Sequence, residues 1–144
     1  MDIYQTINDV LVKLFNEIMD KEQKAIITGE FKDITNNDMH IIESVGLGEP
    51  KSMSAVARQQ SVTVGTLTIA VNALVRKGYV SRVRSEKDRR VVLLSLTEKG
   101  GRAYQHHAQF HEQMVQAVMR HMSEEELRVL AKALDNLSEF FRSF

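Results

Sequence analysis

The stretch "RVRSEKDRRVVLLSLTEKG", residues 82 to 100, decides the fold that we predict for this chain. It overlaps two short runs, "YVSRVR" and "VVLLSL", whose β-branched and apolar residues alternate in part, as is typical of strands. The turn between the runs, Ser85 to Arg89, is almost entirely charged. The pattern therefore predicts a β-hairpin, or wing, with arginines around its tip.

Two short helices are predicted immediately before this hairpin. Ser52 is placed to cap "MSAVARQQ", and the following run "SVTVGTLTIAVNALVRKGYV" carries an apolar stripe that includes Val62, Leu67 and Leu74. Gly78 stands where the end of a helix favours a left-handed residue. Two helices separated by only a few residues outline a helix-turn-helix, so the hairpin completes a winged helix-turn-helix.

Longer helices are predicted on both sides of this module. Asp2 can cap an amphipathic helix that reaches Ile18, and Thr35 with Asp38 resembles a capping box before a short second helix. Thr97 should begin a long helix that ends near Met122, although Gly100 and Gly101 weaken its first turn. Ser123 with Glu126 forms another capping box before the last helix.

We therefore predict a mainly α fold with a winged helix-turn-helix domain, a two-stranded β-wing and long terminal helices. The 144 residues suit a single domain, residues 1–144, with the winged module at about 48–100. The last helix presents a seam wide enough for a partner, because its apolar residues recur at heptad-like spacing.

The distribution of charge indicates the class of partner. Formal net charge is zero, but residues 1–50 carry four Lys/Arg against ten Asp/Glu, a net charge of −6. Residues 51–102 carry eleven against three, or +8, and residues 103–144 carry four against six, or −2. A basic block of this kind attracts polyanions whatever the charge of the whole chain. Nucleic acid is therefore the leading partner.

Other features of composition narrow the function. The absence of cysteine excludes a disulfide framework and thiol-based redox sensing. The sequence has no apolar run long enough for a membrane span and no signal-peptide pattern, so we expect a cytoplasmic protein that does not contact membranes.

The wing and the second helix of the module should contact DNA. We expect Arg89 and Arg90 to enter a narrow minor groove, while Asp88 stiffens the turn that carries them. Phosphate contacts are assigned to four further basic residues: Arg76, Lys77, Arg82 and Arg84.

The base-reading face of the second helix has no charged residue. Threonine methyl groups suit thymine and an asparagine can read adenine, so we predict an A·T-rich site. The residues assigned to this face are Thr63, Gly65, Thr66, Thr68 and Asn72.

Two further groups of side chains invite a ligand. His107 and His111 lie four positions apart next to His106, but we expect surface or interface histidines and assign no metal site, since no cysteine or HExxH pattern supports one. Apolar side chains on the long helices could line an adaptable pocket, although packing in the core is the commoner role for each. The candidate pocket residues are Phe15, Met19, Phe31, Met39, Phe110 and Met114.

The motifs in and around the wing resemble those of the MarR family of dimeric winged-helix repressors. They are Asp88-Arg89-Arg90, which matches the family's D-x-R wing, Leu96-Thr97-x-x-Gly100, and Leu74-x-x-Lys77-Gly78-Tyr79-Val80. Val64 stands where the family usually has a proline. Within the family the wing is most similar to that of the FabT-type repressors of fatty-acid synthesis, as are "FKDITNNDMHIIESVG" and "MSEEEL".

This resemblance implies a homodimer built from the helices at about 1–30 and 101–144, in which the expected contacts are Ile3, Ile7, Leu11, Leu127, Leu130, Leu134, Leu137 and Phe141. It implies a transcriptional repressor, not an enzyme, that binds a palindrome in double-stranded DNA near fatty-acid-synthesis genes. It also implies long-chain acyl-acyl-carrier-protein as corepressor and no cofactor. Three alternatives remain open: a MarR-type regulator that responds to zinc or a phenolic ligand, a metal-dependent enzyme built on the histidines, and an interaction module whose basic block binds an acidic protein.

Overall fold

The computed structural model describes residues 1–26 and 29–144 of the chain. It divides the chain into two compact units, Met1–Ala108 and Gln109–Phe144. Short connections join the elements, and a small sheet lies within the first unit. In chain order the helices and strands are α1 (Ile3–Asp9), α2 (Phe15–Ile26), α3 (Asn36–Val45), β1 (Lys51–Ser52), α4 (Met53–Gln60), α5 (Val64–Arg76), β2 (Val80–Arg84), β3 (Val92–Leu96), α6 (Glu98–Arg120) and α7 (Glu124–Arg142).

The N-terminal helical segment confirms the predicted amphipathic helix. The Asp2 carboxylate accepts the Gln5 backbone N–H at 3.2 Å and so caps α1. A wider π-helical turn, Val10–Leu14, connects α1 to α2, and the sequence did not predict it. No residue of α1 is buried within the first unit.

The helix-turn-helix has the predicted order and the predicted caps. The capping box of Thr35 and Asp38 begins α3, and the Ser52 hydroxyl accepts the Ala55 N–H at 3.1 Å at the start of α4. Helix α5, the recognition helix, ends at Arg76, and Gly78 follows its cap residue with a φ of 87°, which is readily available to glycine. The sequence placed Val62 on the apolar stripe of α5, but Val62 precedes the helix and is exposed.

The sheet that contains the wing has one strand more than the predicted hairpin. β2 and β3 form the expected antiparallel hairpin, but β1 pairs with the other edge of β3, so the sheet has three strands in the order β1-β3-β2. Lys51 lies opposite Leu94 and Ser52 opposite Leu93. The predicted two-stranded wing is confirmed as the β2–β3 hairpin, and β1 was not predicted because a two-residue strand has no alternation to reveal it.

The hydrophobic core of the first unit joins α2 and α3 to the winged module. Ile42, Val56, Val71, Leu74 and Leu94 are fully buried in it. The start of α6 packs closely on this core, because a Cβ on Gly100 would overlap the Tyr79 carbonyl oxygen. Gly100, which the sequence marked only as a weak helix former, is thus required at this contact.

The second unit consists of the last part of α6 and the whole of α7. The capping box predicted for Ser123 and Glu126 begins α7. The side chains of α7 are exposed or half-buried in the unit, including the apolar Leu134 and Phe141. Among residues 1–26 and 29–144, no helix combines the length and apolar character needed to cross a membrane.

Candidate nucleic-acid interface

A polar groove of about 700 Å³ lies between the helix-turn-helix and the wing. The described residues that line it include four arginines but no acidic side chain, which gives it a positive potential suited to a phosphate backbone. Its walls come from α4, α5 and the strands of the hairpin, so the DNA-binding elements predicted from the sequence share one surface. The lining residues are Ser52, Met53, Ser54, Arg58, Val64, Thr68, Arg82, Val83, Arg84, Arg90, Val91 and Val92.

The wing tip is held in shape by Asp88. Its carboxylate accepts the Arg90 backbone N–H at 3.1 Å and pairs with two nitrogens of the Arg90 guanidinium at 3.0 and 3.1 Å. The hydrogen bond from the Arg90 side chain is the main reason that the pKa of Asp88 lies below its usual range. Arg84 donates to the Arg89 carbonyl at 2.9 Å. These contacts agree with the predicted stiffening role of Asp88.

A side-chain contact connects the recognition helix to the wing. The guanidinium of Arg82, on β2, donates a hydrogen bond to the side-chain oxygen of Asn72, on α5. Since that oxygen is engaged, an adenine contact by Asn72 would rely on its amide N–H groups. Arg82 therefore has an intramolecular partner, and it is also exposed, as the phosphate contact predicted for it requires.

The threonines of the recognition helix are engaged in its own structure. The Thr63 hydroxyl accepts the Thr66 N–H at 3.1 Å and donates to the Thr66 hydroxyl at 2.9 Å, so Thr63 is the helix cap. Thr68 donates to the Val64 carbonyl at 2.7 Å. Gly65 is exposed at the start of the helix. These hydroxyls have partners within the helix, so their methyl groups are the parts best suited to contact thymine.

Lys77 differs from the phosphate contact predicted for it. Its ammonium group donates to the Asp33 carbonyl at 2.6 Å and lies 3.6 Å from the Asp38 carboxylate. Asp33 precedes α3 and Asp38 lies in its first turn. Lys77 therefore connects the end of the recognition helix to the start of α3. Arg76, by contrast, is exposed as a phosphate contact requires.

Two residues that line the groove, Ser54 and Arg58, and the exposed Ile69 of α5 were not predicted from the sequence. Ser54 and Arg58 line the groove from α4, the helix that crosses the backbone in related motifs. Ile69 is 76% exposed on α5 and offers an apolar contact for a thymine methyl group. The basic block contained Arg58, but only the helical geometry shows that it faces the groove.

His107 is buried, so the expectation of a surface or interface histidine is wrong for this residue. It is 2% exposed, and its Nε2 lies 3.2 Å from the carboxylate of the buried Glu22 and also contacts Glu43. His106 instead places Nε2 2.9 Å from the Ala25 carbonyl and its ring against Phe31. The two neighbouring histidines therefore have different surroundings.

The predicted pocket residues have unlike environments. Phe31 and Met39 are buried in the core of the first unit, which confirms the packing role weighed for them. Phe15 is largely exposed and Met19 half-buried in the same unit, whereas Phe110 and Met114 belong to the second unit and are half-buried. The acyl-chain pocket stays a prediction.

Comparisons with known proteins agree with a DNA-binding surface. Residues 22–107 match the family described as "Transcriptional regulator SarA/Rot". The fold superimposes on Streptococcus pneumoniae FabT in complex with DNA with a TM-score of 0.91 and 43% identity, covering 97% of this chain and 98% of that one. A mutant of Escherichia coli MarR, solved with operator DNA, shares the fold, with a TM-score of 0.64, 23% identity and coverage of 95% and 99%.

Sequence relatives are also regulators and not enzymes. The uncharacterised HTH-type regulator YpoP of Bacillus subtilis is 31% identical over 91 residues, which are 63% of this chain. The chain spans a little over half the length of two such relatives, 57% of YpoP and 53% of the B. subtilis repressor YetL.

Proposed function

The chain belongs to the SarA/Rot family of transcriptional regulators, and from that premise we propose that it is a homodimeric repressor of fatty-acid-synthesis genes. It is a DNA-binding regulator with a MarR-type winged helix-turn-helix. The likeness to S. pneumoniae FabT, solved with DNA, is the observation that carries the proposal. The operator would be a palindrome rich in A·T pairs.

In the proposed complex, α5 enters the major groove and the wing reaches the adjacent minor groove. The exposed Arg89 and Arg90 at the wing tip would supply the minor-groove contacts. Arg58 and Arg84 line the groove beside α5, where they are placed to neutralise phosphates. Each arginine that contacts a phosphate should contribute to a salt-dependent affinity.

The homodimer is supported by apolar residues that remain exposed within each unit. Ile3, Ile7 and Leu11 are 70%, 54% and 43% exposed on the N-terminal helices. In the second unit, Leu134 and Phe141 are 54% and 55% exposed on α7. Exposed apolar residues along one helix mark an interaction site, and a second copy of the chain would cover them symmetrically. The remaining proposed contacts are Leu127, Leu130 and Leu137.

Long-chain acyl-acyl-carrier-protein is the effector that we propose. It must bind the DNA-binding conformation more tightly than the other conformation in order to act as a corepressor. Because Phe31 and Met39 are already packed in the core, an acyl chain that reaches them has to displace neighbouring side chains. The proposal therefore predicts that acyl-chain binding rearranges the long helices.

The test begins with selection of duplexes from a random pool by the wild-type protein. The recovered duplex and a scrambled duplex are then titrated at one salt concentration, with palmitoyl-acyl-carrier-protein or with the unacylated carrier as the matched control. We expect a palindromic A·T-rich sequence whose affinity rises at least roughly tenfold with the acylated carrier alone, a coupling typical of allosteric effectors.

The outcomes separate the parts of the proposal. Selection of G·C-rich sites would contradict the readout assigned to α5. Specific binding that ignores both carriers would contradict the fatty-acid assignment and leave the DNA-binding regulator in place.

A metal-responsive regulator is the second candidate, favoured by the surroundings of His107. An imidazole nitrogen and carboxylate oxygens are ligands that Zn²⁺ accepts, and here they come from α2, α3 and α6, where the buried Glu22 and His107 meet the more exposed Glu43. Titration of the selected duplex with Zn²⁺ and with EDTA tests this candidate. A DNA affinity that depends on Zn²⁺ in wild type but not in His107→Gln would support it, and an affinity indifferent to both would exclude it.

A further inference from the structure

We propose that Asp33 and Tyr79 are positioning residues for DNA recognition. Their hydrogen bond holds the end of the recognition helix and the base of the wing against the segment that precedes α3. Together with Lys77 and Lys99 they form a cluster that we call the Tyr79 clasp. The inference rests on the DNA-binding function described above and adds residues that lie outside the DNA-facing groove.

The backbone of Tyr79 connects the recognition helix to the sheet. Tyr79 follows Gly78, where the chain leaves α5, and directly precedes β2. Its N–H donates to the Leu74 carbonyl at 2.9 Å, and its own carbonyl accepts the Thr97 N–H at 3.1 Å. A displacement of Tyr79 would therefore move the end of α5 and both strands of the hairpin together.

The side chain of Tyr79 extends this connection to the segment before α3. The ring is fully buried, and the hydroxyl donates to the Asp33 carboxylate at 2.6 Å. Burial, followed by this hydrogen bond, raises the pKa of Tyr79, so the phenol stays a donor. The same hydrogen bond lowers the pKa of Asp33, so the acceptor is ionised. Charge-assisted hydrogen bonds of this kind are short and comparatively strong.

Two lysines of the basic block complete the clasp. Lys77 donates to the backbone carbonyl of Asp33 at 2.6 Å. Lys99, at the start of α6, donates to the Lys77 carbonyl at 3.3 Å and lies 4.5 Å from the centre of the Tyr79 ring. The stacked ammonium adds a cation–π contact. Part of the basic block therefore braces the winged module from behind.

This bracing matters for recognition because α5 and the wing must meet two grooves at once. When the residues that support a binding site are loosened, the groups that contact the ligand are displaced slightly, and specificity falls. Contacts between long, flexible arginines and the phosphates of the DNA backbone tolerate such displacements better. Loss of the Tyr79 hydroxyl should therefore reduce discrimination between DNA sequences more than it reduces general affinity for DNA.

The test compares Tyr79→Phe and Asp33→Ala with wild type and with the control Tyr104→Phe. Tyr104 is a half-buried tyrosine of α6 that packs against the same core, and its hydroxyl takes no part in the clasp. The duplex selected by the wild-type protein and a scrambled duplex are titrated at one salt concentration, and the melting temperature of each variant is recorded.

We expect both clasp variants to lower the ratio of selected to scrambled affinity roughly tenfold, the scale of one hydrogen bond to a charged group. Affinity for the scrambled duplex should stay near that of wild type, because the arginines remain. The double variant should lose no more than either single variant, since the two changes break one contact. Tyr104→Phe should keep the wild-type ratio.

A lower melting temperature with an unchanged affinity ratio would overturn the proposal and leave Tyr79 a merely structural residue. An equal loss in Tyr104→Phe would overturn it as well. If Tyr79→Phe does not fold, Asp33→Ala decides the question, because Asp33 is exposed and its substitution leaves the core intact. A wild-type protein that prefers no duplex would instead contradict the operator-binding function itself.

Discussion

Arg90 has a defined direction although 90% of its side chain is exposed. The two-nitrogen contact with Asp88 and the backbone hydrogen bond to the same carboxylate restrict its rotamers before DNA arrives. An exposed ion pair of this kind adds little to stability, so its effect is on orientation. A preorganised guanidinium loses less conformational entropy when it enters a minor groove.

Arg90→Ala should therefore weaken DNA binding most on sites with a narrow A·T minor groove, by roughly tenfold or more, because such grooves have enhanced negative potential. Fluorescence anisotropy on duplexes that differ only in the base pairs under the wing would measure this. The control is Arg76→Ala, whose loss should be similar on every duplex. Equal losses on all duplexes for Arg90→Ala would contradict minor-groove readout by this side chain.

Single residues differ in how far the sequence could predict them. The stiffening role of Asp88 could be predicted because its partner is two positions away. The partner of Lys77 is 44 positions away and that of Arg82 is ten, so both were assigned only by charge. His107 was misjudged for the same reason, because its carboxylate partners lie on other helices.

The recognition helix is capped by Thr63, which was predicted from the sequence to read a base. Thr63→Ala removes the cap hydrogen bond and should lower the free energy of unfolding by about 1 kcal/mol. Thr63→Ser keeps the hydroxyl and should retain the wild-type stability, which chemical denaturation would measure. If the Thr63 methyl group reads thymine, Thr63→Ser will lose preference for the selected duplex despite its stability.

At the level of elements, prediction succeeded where the signal was local. The capping boxes at Thr35 and Ser123 and the helix end at Gly78 each depend on residues within a few positions. Strand β1 was missed because its pairing with Leu93 and Leu94 is a long-range contact. The groove was only partly predicted, since the position of Arg58 depends on how α4 packs beside the hairpin.

For the whole molecule, the exposed apolar face of α7 predicts that assembly and DNA binding are linked. Leu134→Glu should be tolerated within a single chain, because Leu134 is already 54% exposed, but it would place a charge in the proposed dimer interface. Light scattering should show wild type at twice the chain mass of 16.4 kDa and the variant shifted towards one chain mass. Operator affinity should fall at least roughly tenfold, since one half-site then binds alone.

Asn136→Glu is the matched control, because it adds the same charge to an exposed position of α7 off the apolar seam. It should keep the wild-type mass and affinity. A wild-type protein of one chain mass at all concentrations, or a Leu134→Glu variant that keeps the doubled mass, would contradict the proposed interface.

The short strand β1 limits how DNA specificity can be transplanted between regulators of this kind. Ser52 is both the last residue of β1 and the cap of α4, so the helix-turn-helix begins within the sheet that carries the wing. A graft confined to α4 and α5 would leave the Ser52 cap of α4 behind, and a graft that began at Lys51 would pair β1 with a foreign β3. A chimaera that is to acquire new specificity should therefore carry residues 51–96 as one block.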